Sequence, residues 1–440
     1  MSEISKLRAR EILDSRGNPT VEVDVELKSG VRATASAPSG ASTGKHEAVE
    51  LRDKDPQRYF GKGVMKAVSN VNEKINEAIV KKPFENPDEI DRLLLELDKS
   101  KEKNKSTIGA NATCAVSMAV RKAVAAERDI ELFGLFSETG PMLLPVPMIN
   151  IINGGRHASS SLDVQEFMVV PDGASTFSLA IRMASEIFHA LKLELENRGL
   201  STLVGDEGGF APDLESNQQA LDLVTLAIEK AGYEAGKDAH IAIDVAASEL
   251  YESDKYVFRW SDGSSKGSDE MIHVYEKWID GYPIISIEDG LAEDDWKGWK
   301  NMTEVLGKKV QLVGDDIFVT NTKRLERGFA EGICNSVLVK VNQIGTVMEA
   351  HEVVKAAFDH GYNVVVSHRS GETEDSTIAD LAVGWAACQI KSGSTCRSER
   401  LAKYNRILRI EDRLGTEAKY CGKHKNPYER FSNWRKSSRS

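Results

Sequence analysis

The stretch Tyr282-Pro-Ile-Ile-Ser-Ile-Glu288 decides the fold. Its apolar run is too short for a helix and carries no polar residue on alternate positions, so it reads as a strand buried on both faces and ended by a carboxylate. The same pattern recurs on either side. The runs 147–152, 166–170, 240–245, 310–314, 336–341 and 362–367 are short, apolar and separated by helical stretches. Asp244 follows Ile-Ala-Ile, Asp315 follows Gln-Leu-Val-Gly, Lys340 follows Ser-Val-Leu-Val, and His368 follows Val-Val-Val-Ser. One charged strand end could be a salt bridge to the next helix. Five in register predict a parallel (β/α)₈ barrel, a TIM-like fold whose strand ends converge on one face, where its active sites form.

Upstream the pattern is different. Val21 to Leu27 alternates strictly, Lys28-Ser-Gly30 is a turn, and a second run covers 31–37, which predicts an antiparallel meander. From Asp55 to about Asp129 the period becomes helical, with Val64, Ala67, Val68 and Val71 on one face, then 90–97 and the alanine-rich 111–126. The charge run 99–106 between them reads as a solvated loop. We therefore expect an α+β domain over 1–135, a β/α barrel over 136–425 and a basic tail over 426–440.

Composition narrows the function. The 440 residues carry a net charge of −11, which argues against gripping nucleic acid or an anionic membrane over a broad face. No apolar run has the length of a signal peptide or a bilayer span. Five cysteines, odd in number and without a CxxC pair, read as reduced thiols in a cytoplasmic protein.

Asp244, Glu288 and Asp315 end three successive strands and so should lie side by side as hard oxygen ligands, which suits Mg²⁺. Their mutual repulsion calls for a cation. Lys340, on the next strand, becomes a usable base if burial and a nearby divalent cation favour its neutral form. Asp206 and Glu207 lie in the glycine-rich turn 204–212, where Glu166 could pair with Glu207 and raise one pKa, as a general acid requires. The loop Ala37-Pro-Ser-Gly-Ala-Ser-Thr-Gly44 fails as a Walker loop, because its glycines are too close and His46 stands where a hydroxyl is needed. It reads instead as a lid whose serines reach a metal or phosphate on closing. Arg369 and Ser370, just after a barrel strand, suit an oxyanion. The equipment is that for removing a proton next to a carboxylate.

These motifs resemble the enolase family, from DSRGNPTV (14–21) to RLAKYNRILRIE (400–411). PSGASTG, INGG-x-H, QEFM, GDEGG, SIED, GDD, KVNQIGT, SHRSGETED and QIKSG occur in the family's order. The resemblance implies an N-terminal α+β capping domain on a catalytic barrel whose second strand is antiparallel, and Mg²⁺-dependent conversion of 2-phosphoglycerate to phosphoenolpyruvate. It implies two Mg²⁺ per site, one on Asp244, Glu288 and Asp315, the other reached by Ser39. Lys340 would be the base, and Glu207 with Glu166 the acid. Lys391 would hold the substrate carboxylate, Arg369 and Ser370 the phosphate, with His157 and His368 lining the pocket. Family members are commonly dimers or octamers of the cytoplasm.

Some positions depart from the family pattern: Arg156 and Ser159 around His157, and Trp385, Cys388 and Ser392 around Lys391. The end of the chain, 419–440, is basic and aromatic, and reads as a disordered end or as a contact for RNA or protein. Two other functions compete with the lyase reading. A racemase or cycloisomerase on the same scaffold conflicts with the two phosphate-handling segments. A binding or scaffold protein would have to lose catalysis through the altered His157 loop while keeping every ligand and acid/base residue.

Overall fold

A computed structural model of the chain describes residues 1–40, 44–139, 143–155 and 162–422. The expectations for His157, for Arg156 and Ser159, for the lid residues 41–43 and for the tail 426–440 lie outside them.

The N-terminal sheet is the expected meander. Ser2–Leu13, Pro19–Leu27 and Arg32–Ser36 pair antiparallel in sequence order, and Pro83–Phe84 adds to the free edge of the first strand. Alternation along the second strand drives Val21, Val23, Val25 and Leu27 into the core. The helix Ala110–Glu127 covers that face, and its small side chains let it lie close to the sheet. The preceding helix Pro87–Leu97 starts at a capping box, with Asn86 Oδ1 accepting from Asp88 N at 2.9 Å and the Glu89 carboxylate returning to Asn86 N.

Two expectations need correction here. Helix does not begin at Asp55 but at Met65, because Tyr59, Phe60 and Gly61 all have positive φ, which no helix accommodates. The charge run 99–106 is a loop, yet Lys105 is buried and its Nζ lies 2.9 Å from Glu349 Oε1 across the domain boundary.

The eight barrel strands are Val146–Asn153, Glu166–Val170, His240–Asp244, Ile284–Glu288, Gln311–Gly314, Ser336–Val339, Asn363–Ser367 and Cys388–Lys391, closed in that order. The second runs antiparallel to both neighbours and every other pair is parallel. Outer helices start on side-chain caps at Thr176, Ser216, Asn321 and Thr346. The helix Thr322–Glu331 stops at Gly332, whose φ of +69° leaves the helical region. The eighth strand has no apolar run of its own in sequence: it reads Cys-Gln-Ile-Lys.

The two domains are joined by polar contacts. Thr113 Oγ1 donates to Gly345 O at 2.7 Å, and Asp91 and Ser117 accept from the amides of Met348 and Val347. Ser39 and Gly371 exchange backbone hydrogen bonds, each at 2.8 Å. The capping domain is thereby pinned to the end of the barrel where the charged strand ends lie.

Candidate active site

Because the second strand is reversed, Glu166 at its start lies at the same end of the barrel as the residues that finish the other strands. Register then aligns Asn153, Glu166, Asp244 and Glu288 across four neighbouring strands. Lys391 ends the eighth strand and reaches into this row. Its Nζ lies 2.8 Å from Asp244 Oδ2, 2.9 Å from Glu288 Oε1 and 3.1 Å from Glu166 Oε1. Burial works against its charge, but the three carboxylates outweigh burial and raise its pKa well above the usual lysine value.

Lys340 sits opposite, with Nζ 2.5 Å from Asp315 Oδ2. Burial opposes the charge of Lys340, but Asp315 overrides it and the amine is held protonated, above its ordinary pKa. Asp315 also accepts from Gln343 Nε2 at 2.9 Å. Its carboxyl is below the normal range, because Lys340 and these hydrogen bonds overcome its burial.

Glu207 is placed by the turn 204–210. Gly208 has φ +87°, and a Cβ there would stand 2.6 Å from Cys396 O, so the position accepts only glycine. Asn150 Nδ2 donates to Glu207 Oε2 at 3.1 Å, and His368 Nε2 lies 3.5 Å from Glu207 Oε1. Burial, with Glu207 second, raises the Glu166 pKa well above the carboxylate range. Burial keeps His368 neutral, and Arg400 Nη1, 2.5 Å from its Nδ1, reinforces this.

The remaining expected residues are close by. Arg369 and Ser370 line the same cleft. Ser39 is buried at its edge, its hydroxyl accepting from Arg16 Nη2 at 3.3 Å and Arg52 Nη2 at 3.1 Å. Of the departures near Lys391, Trp385 is filled into the core. It stacks on His351, with ring centroids 5.5 Å apart, and meets the edge of Phe136. Ser392 is fully buried.

Several residues of the cleft escaped the sequence reading. Glu47 holds the Arg369 guanidinium, and Asp289 accepts from the amides of Asp315 and Asp316 at 2.9 and 3.0 Å. Asp289 and Asp316 had a signal, since each directly follows an acidic strand end. Glu47 had none.

Among the described residues, eight carboxylates line the cleft (Glu47, Glu166, Glu207, Asp244, Glu249, Asp289, Asp315, Asp316) against the three cations Lys340, Arg369 and Lys391. Burial and mutual repulsion push Glu166, Glu288, Asp289 and Asp316 all well above their usual pKa. Glu288 Oε2 is buried and has no hydrogen-bond partner among the described residues. Among those residues, Asp289, Asp315 and Asp316 form a group of three whose oxygens all lie within 4.8 Å of one another; of the three expected ligands only Asp315 is in it, while Asp244 and Glu288 meet at Lys391. Excess buried negative charge, an orphaned carboxylate oxygen and an all-oxygen donor set fit a hard divalent cation such as Mg²⁺.

Comparison with known families gives two matches. The model of the N-terminal domain of enolase matches residues 4–136, and the model of the enolase C-terminal TIM barrel domain matches residues 141–428.

Proposed function

Because the chain belongs to the enolase family, we propose that it catalyses the reversible, Mg²⁺-dependent removal of water from 2-phosphoglycerate to give phosphoenolpyruvate. The observation that carries this reading is that an amine, a carboxylate pair and a guanidinium line one cleft: Lys340, Glu166 with Glu207, and Arg369. An enzyme that abstracts a proton next to a carboxylate on a substrate without phosphate would have no use for Arg369 and Ser370 side by side in the cleft.

Asp244, Glu288 and Asp315 would hold one Mg²⁺ and Ser39 would reach a second. Bound there, the metal ions supply positive charge where the substrate carboxylate gains electron density. Lys340 Nζ takes the proton from C2. To do so it must be neutral, so its pairing with Asp315 has to be released before the proton moves. The C2–H electron pair first moves onto the substrate carboxylate; in a second step it returns to form the C2=C3 bond as the C3–O bond breaks, and Glu207 gives the leaving hydroxyl its proton, so that it departs as water. Glu166, whose carboxyl is itself driven toward the protonated form, supports Glu207 in that role. Lys391 orients the substrate carboxylate, and Arg369 and Ser370 hold the phosphate. His368 lines the pocket, and the family resemblance would add His157 to it. Family membership also supports a homo-oligomer, dimer or octamer, acting in the cytoplasm in glycolysis and gluconeogenesis. No helix among the described residues is long and apolar enough to cross a membrane.

The test is the ultraviolet absorbance of phosphoenolpyruvate forming from 2-phosphoglycerate, with Mg²⁺ and again with a chelator. Turnover that the chelator abolishes supports the reading. Folded, Mg²⁺-loaded protein that makes no phosphoenolpyruvate overturns it.

A further inference from the structure

The floor of the barrel, opposite the cleft, holds two cysteines that catalysis does not use. Cys388 opens the eighth strand, and its φ of +59° removes it from the regular alternation of that strand. Its side chain is buried in the same cluster as Val146, Met168 and Val365. Cys421 comes from the far end of the described chain. It follows Lys419–Tyr420, which pair in parallel with Leu143–Leu144, and its own amide donates to Leu144 O at 3.0 Å. Tyr420 Oη donates to Pro171 O at 3.2 Å, so the segment is anchored on both sides of the barrel floor. Thirty-three residues apart in sequence, the two sulfurs lie 2.6 Å apart.

We propose that Cys388 and Cys421 are a covalent modification site: a small-molecule disulfide such as oxidised glutathione oxidises them to an intramolecular cross-link. A disulfide needs its sulfurs about 2.05 Å apart, so the bond forms with a shift of well under an ångström. One cysteine thiolate attacks a sulfur of glutathione disulfide and expels the first glutathione thiolate. The second cysteine thiolate then attacks the mixed disulfide and expels the other. Two protein thiols become one disulfide, one glutathione disulfide becomes two glutathione thiols, and the protons follow the leaving thiolates.

Both side chains are about 5% exposed, so access requires local opening. The Cys421 segment supplies it: its strand is two residues long, and its opening also releases the bonds made by the Cys421 amide and the Tyr420 hydroxyl. Once formed, the bond ties that segment and the helix Ser398–Leu414 to the floor of the strand that carries Lys391. Closing a loop of this size should raise the thermal midpoint by about 5 °C.

The experiment uses the full chain, equilibrated in buffers of increasing oxidised-to-reduced glutathione ratio, then alkylated and digested without reduction. The expected result is a peptide pair joined through Cys388 and Cys421, an intact mass lower by two hydrogens, and release of the pair by dithiothreitol. C388S and C421S should each abolish the joined pair and leave a glutathione adduct on the remaining cysteine. The oxidised wild type should melt about 5 °C above the reduced protein, a difference absent from the double serine variant. Recovery of both residues as separately alkylated thiols in oxidising buffer overturns the proposal. So does a joined pair that appears only after denaturation.

Discussion

Arg369 grips Glu47 with both arms of its guanidinium: Nη1 lies 3.0 Å from Oε2 and Nη2 3.1 Å from Oε1, and both side chains are almost fully buried. The pair joins the capping domain to the barrel across 322 positions of sequence. It also fills the guanidinium that would hold the substrate phosphate, so the carboxylate and the phosphate compete for one fork. Glu47→Ala should destabilise the free protein by about 3 kcal/mol, since it removes one partner of a buried ion pair. Added inorganic phosphate should recover more of the thermal midpoint in this variant than in wild type. An equal phosphate response in both proteins would show that Glu47 and the anion do not share Arg369.

The roles of Lys340 and Glu207 separate in isotope exchange. Lys340→Ala should lower exchange of the C2 proton with solvent by at least about 10³-fold while Mg²⁺ binding persists. Glu207→Gln should stop dehydration yet permit exchange. Equal loss of exchange in the two variants would show that this division of labour is wrong.

Gly208→Ala puts a methyl where Cys396 O lies 2.6 Å away, on a backbone with φ +87°. The turn must then shift and carry Glu207 with it. We expect a loss of about 2 kcal/mol in stability from chemical denaturation, together with a fall in kcat larger than the change in KM. Wild-type kcat in this variant would show that the turn does not fix the position of Glu207.

His351 stacks on Trp385 and meets Phe136 edge-on, and burial pulls its pKa down to about 4 from an ordinary 6.5. The folded state therefore keeps the ring neutral over a range where the unfolded chain protonates it. Its contribution is fully present above pH 6.5 and is lost as the pH falls toward 4, at most about 3 kcal/mol. Unfolding free energies of wild type and His351→Gln, measured by urea at pH 7 and pH 4.5, should show a smaller drop in the variant. Parallel drops would remove His351 as an acid-sensitive group.

Lys105 is buried against Glu349, which is itself largely buried. Lys105→Ala should cost about 3 kcal/mol. A urea midpoint unchanged from wild type would mean that solvent replaces the lysine there.

Much of this protein was legible in the order of its residues. Short apolar runs that end in Asp244, Glu288, Asp315, Lys340 and His368 announce a barrel with a charged face, because strand period and burial are local properties. Glycines in the Glu207 turn and the doubled acids after Glu288 and Asp315 are local too. The eighth strand escaped because Cys-Gln-Ile-Lys has no continuous apolar run, and its place follows from closure of the other seven. The charge state of Lys340, the Glu47–Arg369 pair, the burial of Lys105 and the meeting of Cys388 with Cys421 were decided by tertiary structure alone. Each depends on which distant side chain arrives within a few ångströms, and on how much water that arrival removes, neither of which is carried by the spacing of residues along the chain.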